Sequence, residues 1–121
     1  MFCYSRKILV VDDEQLVRWS VRRYLEAEGF EAFEADGGSR ALEIMETEAI
    51  DILITDLMMP EMDGVELIRK AVARNPDLIV LVITADDSSD KVLAAEEAGA
   101  MKTFTKPIPF RELTGTIHGL V

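Results

Sequence analysis

Asp12 and Asp13 directly follow the apolar run Ile8-Leu9-Val10-Val11, and Asp56 directly follows Ile52-Leu53-Ile54-Thr55. Thr84 closes a third apolar run that begins at Ile79, and Lys106 follows Lys102-Thr103-Phe104-Thr105. A carboxylate at the end of an apolar segment is costly to desolvate. Several of them at close range repel one another and hold their protons more tightly. A hard divalent cation removes both difficulties. Mg2+ or Mn2+ accepts carboxylate and carbonyl oxygens, and Mg2+ keeps waters and completes its shell with phosphate oxygens. With His118 the one histidine and Cys3 the one cysteine, a zinc cluster is unsupported.

The lysine indicates what the cation would serve. Lys106 precedes Pro107, which stiffens the loop that aims the ammonium. A lysine beside an aspartate neutralises it at rest and binds phosphate oxygens when they arrive. Thr84 can add a hydroxyl donor to the same group. An aspartate flanked by Mg2+, a lysine and a hydroxyl is a nucleophile for phosphorus, and the product is an acyl phosphate on Asp56. Taken singly, each residue has a plainer reading. Adjacent acids cap a helix and complement its dipole, and threonine at a strand end is commonplace. Packing explains the set far less well than chemistry does.

These residues meet only if the elements around them converge. Short β-branched runs over Lys7–Val11, 31–34, Ile52–Thr55, Ile79–Thr84 and Lys102–Thr105 are the predicted strands. Three are nearly all Ile, Leu and Val, as in strands buried on both faces of a parallel sheet. Helical periodicity predicts helices over 14–28, 39–47, Gly64–Arg74, Ser89–Ala98 and Phe110–Leu120. Val17, Val21 and Leu25 form the first inward stripe, with Tyr24 beside them; Ala41, Leu42 and Met45 form the second. Leu67, Ile68 and Ala71 follow, then Val92, Ala95 and Ala98. Gly29, Asn75-Pro76 and Gly99 are suitable stops, and a serine caps the fourth helix. Gly115 and Gly119 oppose the last helix. The order β-α, five times over, predicts an α/β fold: one parallel sheet with helices on both faces. Ligands of such sheets bind outside the carboxyl ends of the strands, where Asp12, Asp13, Asp56, Thr84 and Lys106 all fall.

A length of 121 residues suits one domain, 1–121. The net charge of −10 argues against direct nucleic-acid binding and fits a cation site or a basic partner. The longest apolar runs, such as residues 78–83, are too short to span a membrane, and the start does not read as an export leader. A cytoplasmic protein is therefore expected, and the lone Cys3 thiol agrees with a reducing compartment.

The sequence resembles the receiver domain of bacterial two-component response regulators along essentially its whole length. The likeness is carried by Ile8-Leu9-Val10-Val11-Asp12-Asp13-Glu14, by Asp56-Leu57-Met58-Met59-Pro60-Glu61-Met62-Asp63-Gly64, by Thr84-Ala85 and by Lys106-Pro107, in that order. It implies a flavodoxin-like (βα)5 fold with strand order 2-1-3-4-5. It further implies that Asp56 is the phosphoacceptor, charged by a sensor histidine kinase or a phosphotransfer protein. Asp13, Asp56 and the backbone carbonyl of Met58 would hold Mg2+ directly, with Asp12 assisting through water. Lys106 would contact a phosphate oxygen, and Thr84 would shift toward the phosphoryl group, remodelling the surface of the last two strand-helix units. Pro60 and Gly64 would shape the loop beside the acceptor, Gly64 by adopting a positive φ. Pairing with a second receiver is compatible with this family. The chain would act alone or as the N-terminal part of a longer, transcriptional regulator.

One position departs from the pattern. Members usually carry Tyr or Phe three residues before the lysine, where this chain has Thr103, followed by Phe104. Strand alternation sends the two side chains to opposite faces, so Phe104 is expected in the core and not as a displaced switch. Trp19, among Arg18, Arg22 and Arg23, is expected to be partly buried, and Met58, Met59 and Met62 to be loop packing. Three other classes fare worse. A dinucleotide or flavin binder needs a glycine- or hydroxyl-rich loop where Asp12-Asp13-Glu14 stands. An aspartyl-nucleophile phosphatase needs a second acid two residues after the nucleophile, where this chain has Met58, so a switch and not a turnover enzyme is expected. A receiver-like module without phosphotransfer would lack an acid or the lysine, and none is missing.

Overall fold

The computed structural model describes residues 6–86 and 88–120; Cys3 lies outside them. Five β-α units follow one another: β1 Lys7–Val11, α1 Gln15–Ala27, β2 Glu31–Ala35, α2 Gly38–Thr47, β3 Ile52–Thr55, α3 Gly64–Arg74, β4 Ile79–Thr84, α4 Ser89–Ala98, β5 Lys102–Thr105 and α5 Phe110–Leu120. The strands form one sheet in the order β2-β1-β3-β4-β5, and every pairing is parallel. None of the described helices is long and apolar enough to cross a membrane.

Alternation along the strands divides the core in two. Leu9, Val11, Leu53, Val80 and Val82 face one side, where α2, α3 and α4 supply Leu42, Leu67, Ile68 and Ala95. Ile8, Val10, Ile52, Ile54, Leu81 and Ile83 face the other, against Val21 and Leu25 of α1 and Leu113 and Ile117 of α5. Burying each such side chain contributes roughly 1.5–3 kcal/mol, so the central strands fix where their polar ends emerge.

Several local expectations need adjusting. The first helix starts one residue later than periodicity suggests, the second one residue earlier, and β2 runs on to Ala35. Gly29 and Gly99 do end their helices at positive φ, 94° and 131°. Helix α5 continues unbroken through Gly115 and Gly119, because Leu113 and Ile117 anchor its inner face while both glycines look into open space. Trp19 is more exposed than expected, at 50%. The inward stripe of α1 is Val17, Val21 and Leu25, and two residues on from Val17 is just over half a turn away. The Trp19 ring carries the Arg23 guanidinium 5.2 Å from its centroid. The serine at the start of α4 is Ser88, and it makes no side-chain cap. Its amide instead donates to Asp86 Oδ1 at 3.0 Å.

Phe104 is buried in the α1/α5 core, as alternation requires. Thr103 pairs with Val82 and shares its face toward the opposite core. The Thr103 hydroxyl is buried without a hydrogen-bond partner among the described residues, an arrangement that costs about 1–3 kcal/mol. Thr103→Val keeps the shape and the β-branch while removing the orphan oxygen. It is expected to stabilise the fold by about 1 kcal/mol, read as a higher urea midpoint at unchanged slope. A lower midpoint would mean that the hydroxyl is satisfied in solution.

Candidate functional site

Strands β1, β3 and β5 deliver Asp12, Asp56 and Lys106 to the same end of the sheet. Asp12 is only 3% and Asp56 only 5% exposed, and every polar atom described on them is engaged. Asp12 donates its amide to the Ala35 carbonyl at 3.3 Å. Its Oδ1 accepts from the Glu14 amide and its Oδ2 from Lys106 Nζ, both at 2.9 Å. Its backbone carbonyl accepts from Arg18 Nη1 at 2.7 Å. Asp56 donates its amide to the Val11 carbonyl at 3.1 Å, which ties the end of β3 to that of β1. Its Oδ1 accepts from the Met58 amide at 3.1 Å and its Oδ2 from Lys106 Nζ at 2.9 Å. Lys106 thus bridges the two buried carboxylates. The exposed Glu14 approaches the same ammonium at 3.5 Å.

Burial by itself would lower the Lys106 pKa, but hydrogen bonds and charge from Asp56 and then Asp12 outweigh it and hold the ammonium above the usual lysine range. Asp12 moves up from the ordinary aspartate value, chiefly through burial, because the Glu14 amide and Lys106 compensate only in part and Asp56 repels it. The two directions are consistent: the lysine gains from two carboxylates, whereas each carboxylate shares one lysine.

Asp13 completes the acid group. Carboxylate oxygens of Asp12, Asp13 and Asp56 all lie within 4.8 Å of one another. Oxygens on opposite sides of Mg2+ stand about 4.2 Å apart, twice a bond of about 2.1 Å. The all-oxygen donor set and this spacing fit a hard divalent cation. Thr84 is buried at the end of β4, and its Oγ1 accepts from the Asp86 amide at 3.1 Å. The Lys106 amide donates to the Thr84 carbonyl at 2.8 Å, which joins β4 to the lysine loop. The Lys106–Pro107 peptide is cis.

The loop after β3 folds back over the acceptor. Gly64 donates its amide to the Leu57 carbonyl at 2.9 Å. A Cβ on Gly64 would strike the Asp56 carbonyl oxygen and come within 2.7 Å of Leu57 Cα. Gly64 is not among the described positive-φ residues; Glu61, at 67°, takes the left-handed position in this loop. The glycine is therefore required by close approach and not by its φ. Gly64→Ala is expected to cost about 1–3 kcal/mol through overpacking, seen as a lowered urea midpoint. An unchanged midpoint would show that the loop yields freely. Of the three methionines, Met59 is buried and Met62 packs on the core, but Met58 is 50% exposed.

Asp12, Asp13, Asp56 and Lys106, expected at one sheet edge, do lie together there, whereas the role of Arg18 and the reach of Glu14 are not visible in the sequence. Arg18 sits six residues after Asp12 and looks like any solvated helix charge until its contact with the Asp12 carbonyl is seen.

A model of the family described as "Response regulator receiver domain" matches residues 8–118. The chain is 39% identical over 117 residues to the response regulator MprA of Mycobacterium ulcerans, covering 97% of this chain and 50% of that protein. It is 37% identical over 101 residues to a cyclic di-GMP phosphodiesterase of Thermotoga maritima, covering 84% of this chain but 27% of that protein. The chain thus spans half or less of these relatives. Among solved structures, a CheY-like receiver domain protein from Methanospirillum hungatei superposes with a TM-score of 0.92 at 29% identity, covering 97% of this chain and 94% of that one. Chemotaxis protein CheY4 of Vibrio cholerae superposes with a TM-score of 0.91 at 27% identity, covering 98% and 100%. Together with the five parallel strands in the order 2-1-3-4-5, these matches establish that the chain belongs to the response regulator receiver domains of two-component signalling.

Proposed function

We propose that Asp56 accepts a phosphoryl group in a reaction that depends on Mg2+ or Mn2+, and that the chain answers by changing conformation. The observation that carries this reading is the buried Asp56 carboxylate. It is bonded to Lys106 Nζ at 2.9 Å and grouped with Asp12 and Asp13. Asp13, Asp56 and the Met58 carbonyl would hold the cation, with Asp12 acting through water. When bound, the cation would draw carboxylate and phosphoryl oxygens together and offset their charge.

An Asp56 oxygen attacks phosphorus in line. The new bond is phosphorus to carboxylate oxygen, and the bond that breaks joins phosphorus to the donor, whose leaving atom keeps the electron pair. For a sensor histidine kinase or phosphotransfer protein that atom is an imidazole nitrogen. Lys106 exchanges its contact with Asp56 Oδ2 for a phosphoryl oxygen. The Thr84 hydroxyl accepts from the Asp86 amide, which leaves its own hydrogen available to the phosphoryl group. Movement of Thr84 toward that group would pull Asp86 and the approach to α4. Position 58 offers a half-exposed methionine and no general acid, which favours a persisting phosphorylated state over turnover. The cytoplasm is the compartment that suits this chemistry.

Incubation with acetyl phosphate and Mg2+ should give one hydroxylamine-labile phosphoryl adduct by intact mass. Steady release of phosphate without an adduct would favour a phosphatase instead. Mg2+ should also raise thermal stability, since a ligand of the folded state alone stabilises it by mass action. At ten times its dissociation constant the gain is about 1.4 kcal/mol, or a few degrees for a domain of this size. A melting temperature unmoved by Mg2+ or by a chelator would count against the metal site.

A further inference from the structure

Arg18 does more than pair with an acid. Its Nη1 donates to the Asp12 carbonyl at 2.7 Å while its Nε donates to Glu34 Oε1 at 3.3 Å. Glu34 is held a second time, by Arg22 Nη1 at 2.9 Å on its other oxygen. The Arg18 and Glu34 side chains are largely buried, whereas Arg22 is much more exposed. A planar guanidinium with its donors in a fixed fork can hold a carboxylate and a carbonyl at once.

The carbonyl it holds belongs to the peptide that joins the two adjacent acids. That peptide is planar, so fixing its oxygen fixes the direction in which the Asp13 Cα leaves it. The Asp13 carboxylate is exposed and makes no hydrogen bond or ion pair among the described residues. Its position in the acid group therefore depends on the backbone. The Glu14 amide bond to Asp12 Oδ1 restrains the far side of Asp13, and the Arg18 bond to the Asp12 carbonyl restrains the near side, so the tilt of the Asp12–Asp13 peptide is one determinant of where the Asp13 carboxylate falls.

We propose that Arg18, oriented by Glu34, is a positioning residue that sets the Asp12–Asp13 peptide plane and thereby the divalent-cation affinity of the site. The proposal rests on the metal reading given above. It extends the site from three strand ends to the edge strand β2, which carries no metal ligand. The plainer alternative is that the Arg18–Glu34 pair only ties α1 to β2. Arg22 separates the two, because it grips the same Glu34 without touching Asp12.

Mg2+ dissociation constants should be measured by calorimetry, with urea midpoints alongside, for the wild-type chain and for Arg18→Ala, Arg18→Lys, Glu34→Gln and Arg22→Ala. Groups that orient metal ligands typically change affinity about 10–100-fold. Arg18→Ala should weaken Mg2+ binding by about tenfold. Lysine at 18 should recover part of the loss, since it can reach the carbonyl but cannot span both partners. Arg22→Ala should lower the urea midpoint while leaving Mg2+ affinity within about twofold, well below that range. If Arg18→Ala does not fold, Arg18→Lys and Glu34→Gln carry the test, each with an expected loss of about threefold or more, smaller than a full deletion. Wild-type affinity in the Arg18 variants, or equal weakening by Arg22→Ala, would overturn the clamp alone. A wild-type chain that binds no Mg2+ would overturn the metal reading and the clamp with it.

Discussion

Replacing Asp56 with asparagine is expected to bring the hydroxylamine-labile adduct to background, a loss of at least about a thousandfold, because an amide oxygen is a poor nucleophile for phosphorus. The substitution is nearly isosteric, so Leu57 and the buried strand Ile52–Thr55 keep their packing. The asparagine oxygen can still accept from the Met58 amide or from Lys106 Nζ, the partners that Asp56 has now. Stability should hold or rise slightly in the absence of cation, since one of three mutually repelling acids becomes neutral. Mg2+ affinity should fall, as a charged ligand is lost. The decisive comparison is intact mass after acetyl phosphate treatment, with circular dichroism to show that the variant is folded. A variant labelled like the wild type would mean that Asp12, Asp13 or another side chain is the acceptor.

The acids and the lysine were legible in the sequence because burial forces a strong pattern around them. Ile52-Leu53-Ile54 cannot be a surface segment, so whatever follows it emerges at a sheet edge, and Asp56 follows one residue later. The same logic located Asp12, Asp13, Thr84 and Lys106. Composition separates three apolar strands, β1, β3 and β4, from the more polar β2 and β5, but it orders neither the three among themselves nor the two edges; the full order came with the family resemblance. Contacts that run across the fold were hidden for a different reason. The Arg18 hydrogen bond to the Asp12 carbonyl and its pairing with Glu34 depend on how α1 lies over β1 and β2, which no local pattern encodes. Gly64 illustrates the limit well. Its type signalled a backbone constraint, but whether the constraint was a dihedral angle or a neighbouring carbonyl could be decided only once Asp56 and Leu57 were in place. In α1 and α5 alike the buried stripe outweighs residue type: Trp19 lies off the stripe and is half exposed, and Leu113 and Ile117 hold α5 together across its glycines.

Removing the Lys106 ammonium should expose how the site balances charge. Lys106 Nζ lies 2.9 Å from both Asp12 Oδ2 and Asp56 Oδ2, and both acids are almost fully buried. Deleting one partner of a buried ion pair typically costs about 3–5 kcal/mol, because the other charge is left uncompensated. Here two carboxylates are left facing each other. The neighbouring Asp13 and Glu14 are exposed, so water can enter the gap the lysine leaves, and Asp12 already takes up its proton more readily than an ordinary aspartate because of burial. Both routes of relief reduce the cost, so Lys106→Ala is expected to lose about 2–3 kcal/mol in chelator, somewhat below that range. The raised Lys106 pKa sets the window. Its stabilisation is fully present below the ordinary lysine value of about 10.4 and disappears only as pH rises through the higher folded value, so the deficit should be undiminished at neutral pH. Added Mg2+ supplies the positive charge the variant lacks and meets no competing ammonium. Its stabilising effect should therefore be larger in Lys106→Ala than in the wild type, and the gap between the two melting temperatures should narrow. Lys106→Met, which keeps the apolar stem, should behave alike if charge and not packing is responsible. Equal stability in chelator, or an identical Mg2+ response in variant and wild type, would show that the lysine does not hold these acids together.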